Sequence, residues 1–104
     1  MQFQPKKLTM TTDIYKTKAG TKFRFGFELR DKDGEENYVI FILSQPSYGG
    51  RDGDLHITHR IHEGDDYLVC WVGPVPTLED AKIVAALWSD FTERYITTGE
   101  PFPD

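Results

Sequence analysis

The sequence predicts an α+β fold: an antiparallel meander of about five strands, then one C-terminal amphipathic helix packed on one face of the sheet. Three observations carry this. Phe23, Phe25, Phe27 and Leu29 alternate with Lys22, Arg24, Gly26 and Glu28, and period-2 alternation puts the four apolar side chains on one face of a strand. Asp33 and Gly34 form a dipeptide suited to a type I′ hairpin turn, whose two central residues both need positive φ. From residue 78 onward, Leu78, Ala81, Val84, Leu87, Trp88, Phe91 and Tyr95 recur at spacings of three and four, which makes an apolar stripe along a helix.

Taken in order, the strands are expected over about residues 7–16, 22–30, 37–43, 54–62 and 67–73, with the helix over about 78–97. Leu8, Met10 and Ile14 sit at even spacing in a threonine-rich first strand, and Ala19 and Gly20 are the natural turn after it. A two- or four-residue loop there places Leu8, Met10 and Ile14 beside the phenylalanines. The turn at Asp33 places Tyr38, Ile40 and Ile42 on that same face. Gly64 and Asp65 centre a second hairpin whose facing residue numbers sum to 129, so Arg60 faces Val69, His62 faces Tyr67 and His59 faces Cys70. Pro74 and Pro76 end the sheet. Thr77 is a good N-cap, Asp80 and Glu79 favour a helix N-terminus, and Gly99 followed by Pro101 is a natural stop.

At 104 residues with 38% apolar content, residues 1–104 form a single globular domain with little core to spare. No apolar run approaches the roughly 18 residues that span a bilayer, so no membrane partner is expected. The first twelve residues lack the continuous apolar stretch of a secretory signal. Cys70 is the one cysteine, which excludes an internal disulfide and a cysteine-based zinc site. A cytoplasmic location is the expectation.

The net charge of −5 is unevenly spread. Residues 1–30 carry seven basic side chains (Lys6, Lys7, Lys16, Lys18, Lys22, Arg24, Arg30) against Asp13 and Glu28, a balance of +5, so residues 31–104 carry −10. The basic part is a candidate electrostatic site, and Lys16, Lys18, Lys22 and Arg24 are the residues a single-stranded nucleic acid would meet. Acidity elsewhere disfavours that partner.

No catalytic triad, metal set, phosphate loop or cofactor motif is present, and no cofactor is expected. His56, His59 and His62 form an H-x-x-H-x-x-H run. On the expected strand, His59 points away from the other two, and those lie roughly 20 Å apart, too far to share a metal ion. His59 and Cys70 are expected in the middle of an apolar face beneath the helix, where a thiol is inert. The loop of residues 46–54 is longer than a hairpin requires and holds Tyr48, Arg51 and Asp52 among glycines, a composition suited to binding. With His56, and with Arg60 stacked diagonally on Trp71, these are the candidate binding residues; the loop and His56 also mark where an enzymatic site would lie.

One helix covers one sheet face, which leaves Val39, Phe41 and Leu43 on the other as a candidate interface. The expected function is therefore a non-catalytic binding or regulatory module that meets a protein partner or itself, as a homodimer.

Overall fold

The computed structural model describes residues 10–103. Its elements are β1 (Thr11–Lys16), β2 (Lys22–Lys32), β3 (Glu35–Ser44), α1 (Leu55–Thr58), β4 (Arg60–Glu63), β5 (Asp66–Val69) and α2 (Leu78–Thr98). The five strands make one antiparallel sheet and α2 packs across it, which is the α+β arrangement the sequence predicts. Among the described residues, no helix is long and apolar enough to cross a membrane.

Local signals place most elements. The β2–β3 turn is closed by Lys32 and Glu35, with φ of 55° at Asp33 and 83° at Gly34, the positive values a type I′ turn demands. Phe25 then pairs with Ile42 and Phe27 with Ile40 on one face. Thr77 caps α2 by accepting from the Asp80 N–H at 3.0 Å. Gly99 ends it at φ 79°, donating its N–H to the Tyr95 carbonyl at 2.8 Å. Trp88 stands edge-on to Phe23 and Phe25, at centroid distances of 6.0 and 6.1 Å, a favoured aromatic geometry. Ala81, Ala85 and Ser89 are small and buried, so α2 lies close to these rings.

Three expectations are corrected. The first concerns β1, which is displaced by one register step. Lys16 pairs with Lys22, leaving a five-residue loop over residues 17–21, neither the two nor the four expected. An odd loop turns every β1 side chain to the other face. Thr11, Asp13 and Tyr15 therefore lie on the helix side, where Tyr15 donates to Asp90 at 3.0 Å and Asp13 meets Lys82 at 3.6 Å. Ile14 is 60% exposed on the opposite face. The loop is set by Thr17, whose N–H donates to the Thr21 carbonyl at 2.9 Å and whose hydroxyl donates to Glu93 of α2 at 2.6 Å.

The second concerns strand order, which is β1-β2-β3-β5-β4 and not a simple meander. Residues 54–62 are also not one strand, because residues 55–58 form α1 and only Arg60–Glu63 is extended. Asp54 initiates α1 by accepting from the His56 N–H at 2.8 Å, and His59 ends it in the left-handed region at φ 52°. That turn delivers β4 to the outer edge, and the hairpin returns β5 beside β3. The hairpin register itself is the expected one, with Arg60 opposite Val69 and His62 opposite Tyr67.

The third concerns the sheet's second face. Leu68 pairs with Phe41 and Ile61 with Leu68, so these side chains share the face away from α2, and the helix does not cover Ile61 and Leu68. Phe41 and Leu68 are nevertheless 3% and 4% exposed. The Arg30 guanidinium lies 5.6 Å from the Phe41 ring centroid, anchored by Glu28 at 2.8 Å and by both oxygens of Glu63 at 2.7 Å. The hydrogen bonds to Glu63 raise the Arg30 pKa above its usual value against the opposing effect of burial, and Glu28 adds to the rise. Met10 and Leu43 close over Gly26. With Phe41 buried and Val39 and Leu43 partly buried, this face is largely covered by side chains of the same chain.

Candidate functional site

A groove of about 640 Å³ lies between α1, residues 70–72, α2 and the C-terminal Phe102 and Pro103. Its construction begins with α1. The buried Thr58 carbonyl accepts the Trp88 indole N–H at 3.0 Å, which fixes this short helix against α2. The His59 carbonyl then accepts the Cys70 N–H at 2.8 Å, extending the β4–β5 register by one pair. Beyond Gly99 the chain folds back, so Phe102 stacks on His59 at 4.8 Å and approaches Phe91 at 5.5 Å. Trp88 and Phe102 are buried, while Leu55, Trp71 and Val72 are exposed around the groove.

The exposed large apolar residues concentrate here. Of the seven among the described residues (Ile14, Leu29, Leu55, Trp71, Val72, Ile83, Leu87), Leu55, Trp71 and Val72 line the groove directly. Leu87 and Ile83 continue from the lining residue Phe91 at steps of four residues along the same side of α2. Val72 is 95% exposed. At the rim, Arg94 reaches over Phe91 at 5.6 Å and pairs with Glu100 at 3.1 Å.

The six residues expected to bind separate into two groups. His56 and Trp71 line the groove. Tyr48, Arg51, Asp52 and Arg60 do not; they fasten residues 45–54 to the body of the protein. Arg51 donates to the Ile96 carbonyl at 2.9 Å, and the Asp52 carbonyl accepts from the Tyr95 hydroxyl at 2.8 Å. Arg60 does not stack on Trp71. It lies between two other rings, 3.7 Å from the Tyr67 centroid and 4.9 Å from that of Tyr48, and donates to Gln45 at 3.1 Å. The reason is positional: Arg60 and Tyr67 share the helix-facing side of adjacent strands, whereas Trp71 lies beyond the end of β5.

The helical turn at residues 55–58 also changes the histidine geometry. His56 and His59 now line one groove, while His62 packs on Tyr67 at 4.2 Å. Cys70 joins the first two in the lining. Among the described residues, no three His, Cys, Asp or Glu side chains are grouped to hold a metal ion.

Sequence reasoning missed Leu55, Val72, Phe91 and Phe102 as groove residues. The one available signal was a run of large apolar residues, Trp71 and Val72, placed after the strand and immediately before Gly73 and Pro74. Comparison with known protein families, curated proteins and solved structures finds no match to this chain.

Proposed function

We propose that this protein is a non-catalytic binding module that self-associates, the groove of one copy receiving Trp71 and Val72 of a second. The observation that carries this reading is the placement of the projecting Val72 beside an open apolar concavity on the same face. A twofold interface is self-complementary: each copy must present both the knob and the hole. This face does so. Its charged rim residue, Arg94, is paired with Glu100, so this cation is neutralised within its own copy. The single thiol, Cys70, suits a reducing compartment, and a cytoplasmic location is part of the proposal.

Sedimentation over a concentration series tests it. The wild type is expected to dimerise, and Val72→Asp to be monomeric with an unchanged melting temperature. A wild type that stays monomeric at high concentration overturns self-association. Titration of Val72→Asp with a hydrophobic dye, read by Trp71 and Trp88 fluorescence, then tests the groove itself; an unresponsive signal overturns the groove as a binding site.

A further inference from the structure

We infer that the outer edge of β1, which has no strand partner among the described residues, receives an extended acidic peptide, added to the sheet as a further strand. This inference is independent of the groove.

β1 is the outermost strand on its side of the sheet, so one edge of its backbone has no strand partner among the described residues. The Ile14 N–H is held locally, by the Asp13 carboxylate at 2.9 Å. On the face away from α2, β1 presents Thr12, Ile14 and Lys16. Lys22 and Arg24 stand directly inboard, paired with Lys16 and Ile14, and Lys18 is in the adjoining loop. All four cations are exposed.

A lysine on an edge strand commonly serves only to repel other edges. That explanation covers Lys16 and does not cover its neighbours. Lys16 and Lys22 are directly opposed, and like charges in that position destabilise a sheet. Among the described residues, none of the ion pairs involves Lys16, Lys18, Lys22 or Arg24. Elsewhere, three cations are paired with acids, Arg30 with Glu28 and Glu63, Lys82 with Asp13 and Arg94 with Glu100, and Arg51 and Arg60 are held by a carbonyl and by aromatic rings. In a chain of net charge −5, four exposed cations without such partners at one corner form a surface complementary to an anionic partner.

The backbone edge and Ile14 narrow the chemistry of that partner. Strand addition supplies main-chain hydrogen bonds, and alternate side chains then supply specificity. A strand laid along β1 sets alternate side chains beside Thr12, Ile14 and Lys16. An aliphatic residue fits beside Ile14, and acidic residues fit on either side of it, within reach of Lys16, Lys22 and Arg24. A single-stranded nucleic acid fits less well, because non-specific binding of that kind stacks bases on exposed rings. The β1 ring, Tyr15, is on the other face, bonded to Asp90, and Phe41 lies buried beneath Arg30.

The test is titration of the full isotope-labelled chain at low salt with a short capped peptide of alternating glutamate and valine. Amide shifts are expected along residues 11–16, and Lys22→Glu is expected to weaken binding about tenfold, as loss of a complementary charge does. That variant also removes the opposed-lysine repulsion, so its stability is expected to be equal or higher. A peptide N-methylated at alternate residues is expected not to bind. Equal binding of the N-methylated peptide, or tighter binding of oligothymidylate, overturns strand addition in favour of a purely electrostatic phosphate surface. Absence of any shift at residues 11–16 overturns the site altogether.

Discussion

The indole N–H of Trp88 donates to the main-chain carbonyl of Thr58 at 3.0 Å, with both residues buried. This bond joins the middle of α2 to the last residue of α1, which stands at one wall of the groove. The remainder of the Trp88 ring packs on Phe23 and Phe25 and lines the floor. Core packing and groove shape therefore depend on one side chain. Trp88→Phe removes the donor, leaves the buried carbonyl unsatisfied and opens a void. The expected loss is about 2–3 kcal/mol, measured as a lower urea midpoint at constant slope. An unchanged midpoint would show that α1 is held by other contacts.

The Tyr95 hydroxyl donates to the Asp52 carbonyl at 2.8 Å, which ties the glycine-rich loop to α2. Tyr95→Phe keeps the ring and removes this bond. A loss of about 1 kcal/mol is expected, with faster amide exchange over residues 49–53. Unaltered exchange there would mean that Arg51 alone holds the loop.

Gly26 lies beneath Met10, and a Cβ at position 26 would collide with the Met10 Sδ while only touching Leu43. Because Met10 is a flexible side chain that can shift aside, Gly26→Ala is expected to cost no more than about 1 kcal/mol, the low end of overpacking. Combining it with Met10→Ala is expected to recover part of that loss, giving a coupling energy of opposite sign to the single effects. Strict additivity in the double-mutant cycle would separate the two residues.

Burial, followed by the hydrogen bond to Asp90 and the nearby negative charge of Asp90 and Glu93, raises the Tyr15 pKa. A raised folded value favours the neutral phenol, so its contribution to stability is whole below the unfolded phenol pKa of about 10. It is lost as pH rises through the folded value. Above about pH 10, unfolding midpoints of the wild type are expected to fall more steeply than those of Tyr15→Phe. Parallel curves would remove Tyr15 as the source.

The features legible in the sequence are those carried by a few adjacent residues. Asp33 and Gly34 tolerate the positive φ that the β2–β3 turn requires, and they fix the pairing of Phe25 with Ile42 and Phe27 with Ile40. Thr77 and Gly99 delimit α2 because a side-chain acceptor and a left-handed residue satisfy its end groups locally. Gly64 and Asp65 set the β4–β5 register. His56 and Trp71 were the two expected binding residues that reached the groove.

Tertiary structure decided what depends on partners far along the chain. The Thr17 bond to Glu93 fixes a five-residue loop and moves Ile14 to the opposite sheet face; no neighbour of Thr17 in the sequence reports a residue in α2. Asp54 caps residues 55–58 as a helix where apolar alternation alone reads as strand, and the Trp88 bond to Thr58 fixes that helix against α2. That helix places β4 at the edge and β5 beside β3. Arg30, drawn over Phe41 by Glu63, covers the face that alternation leaves bare. Alternation and turn chemistry act over a few residues and determine the elements, whereas burial depends on which distant groups meet. The groove, built from four separate segments, belongs wholly to the second kind.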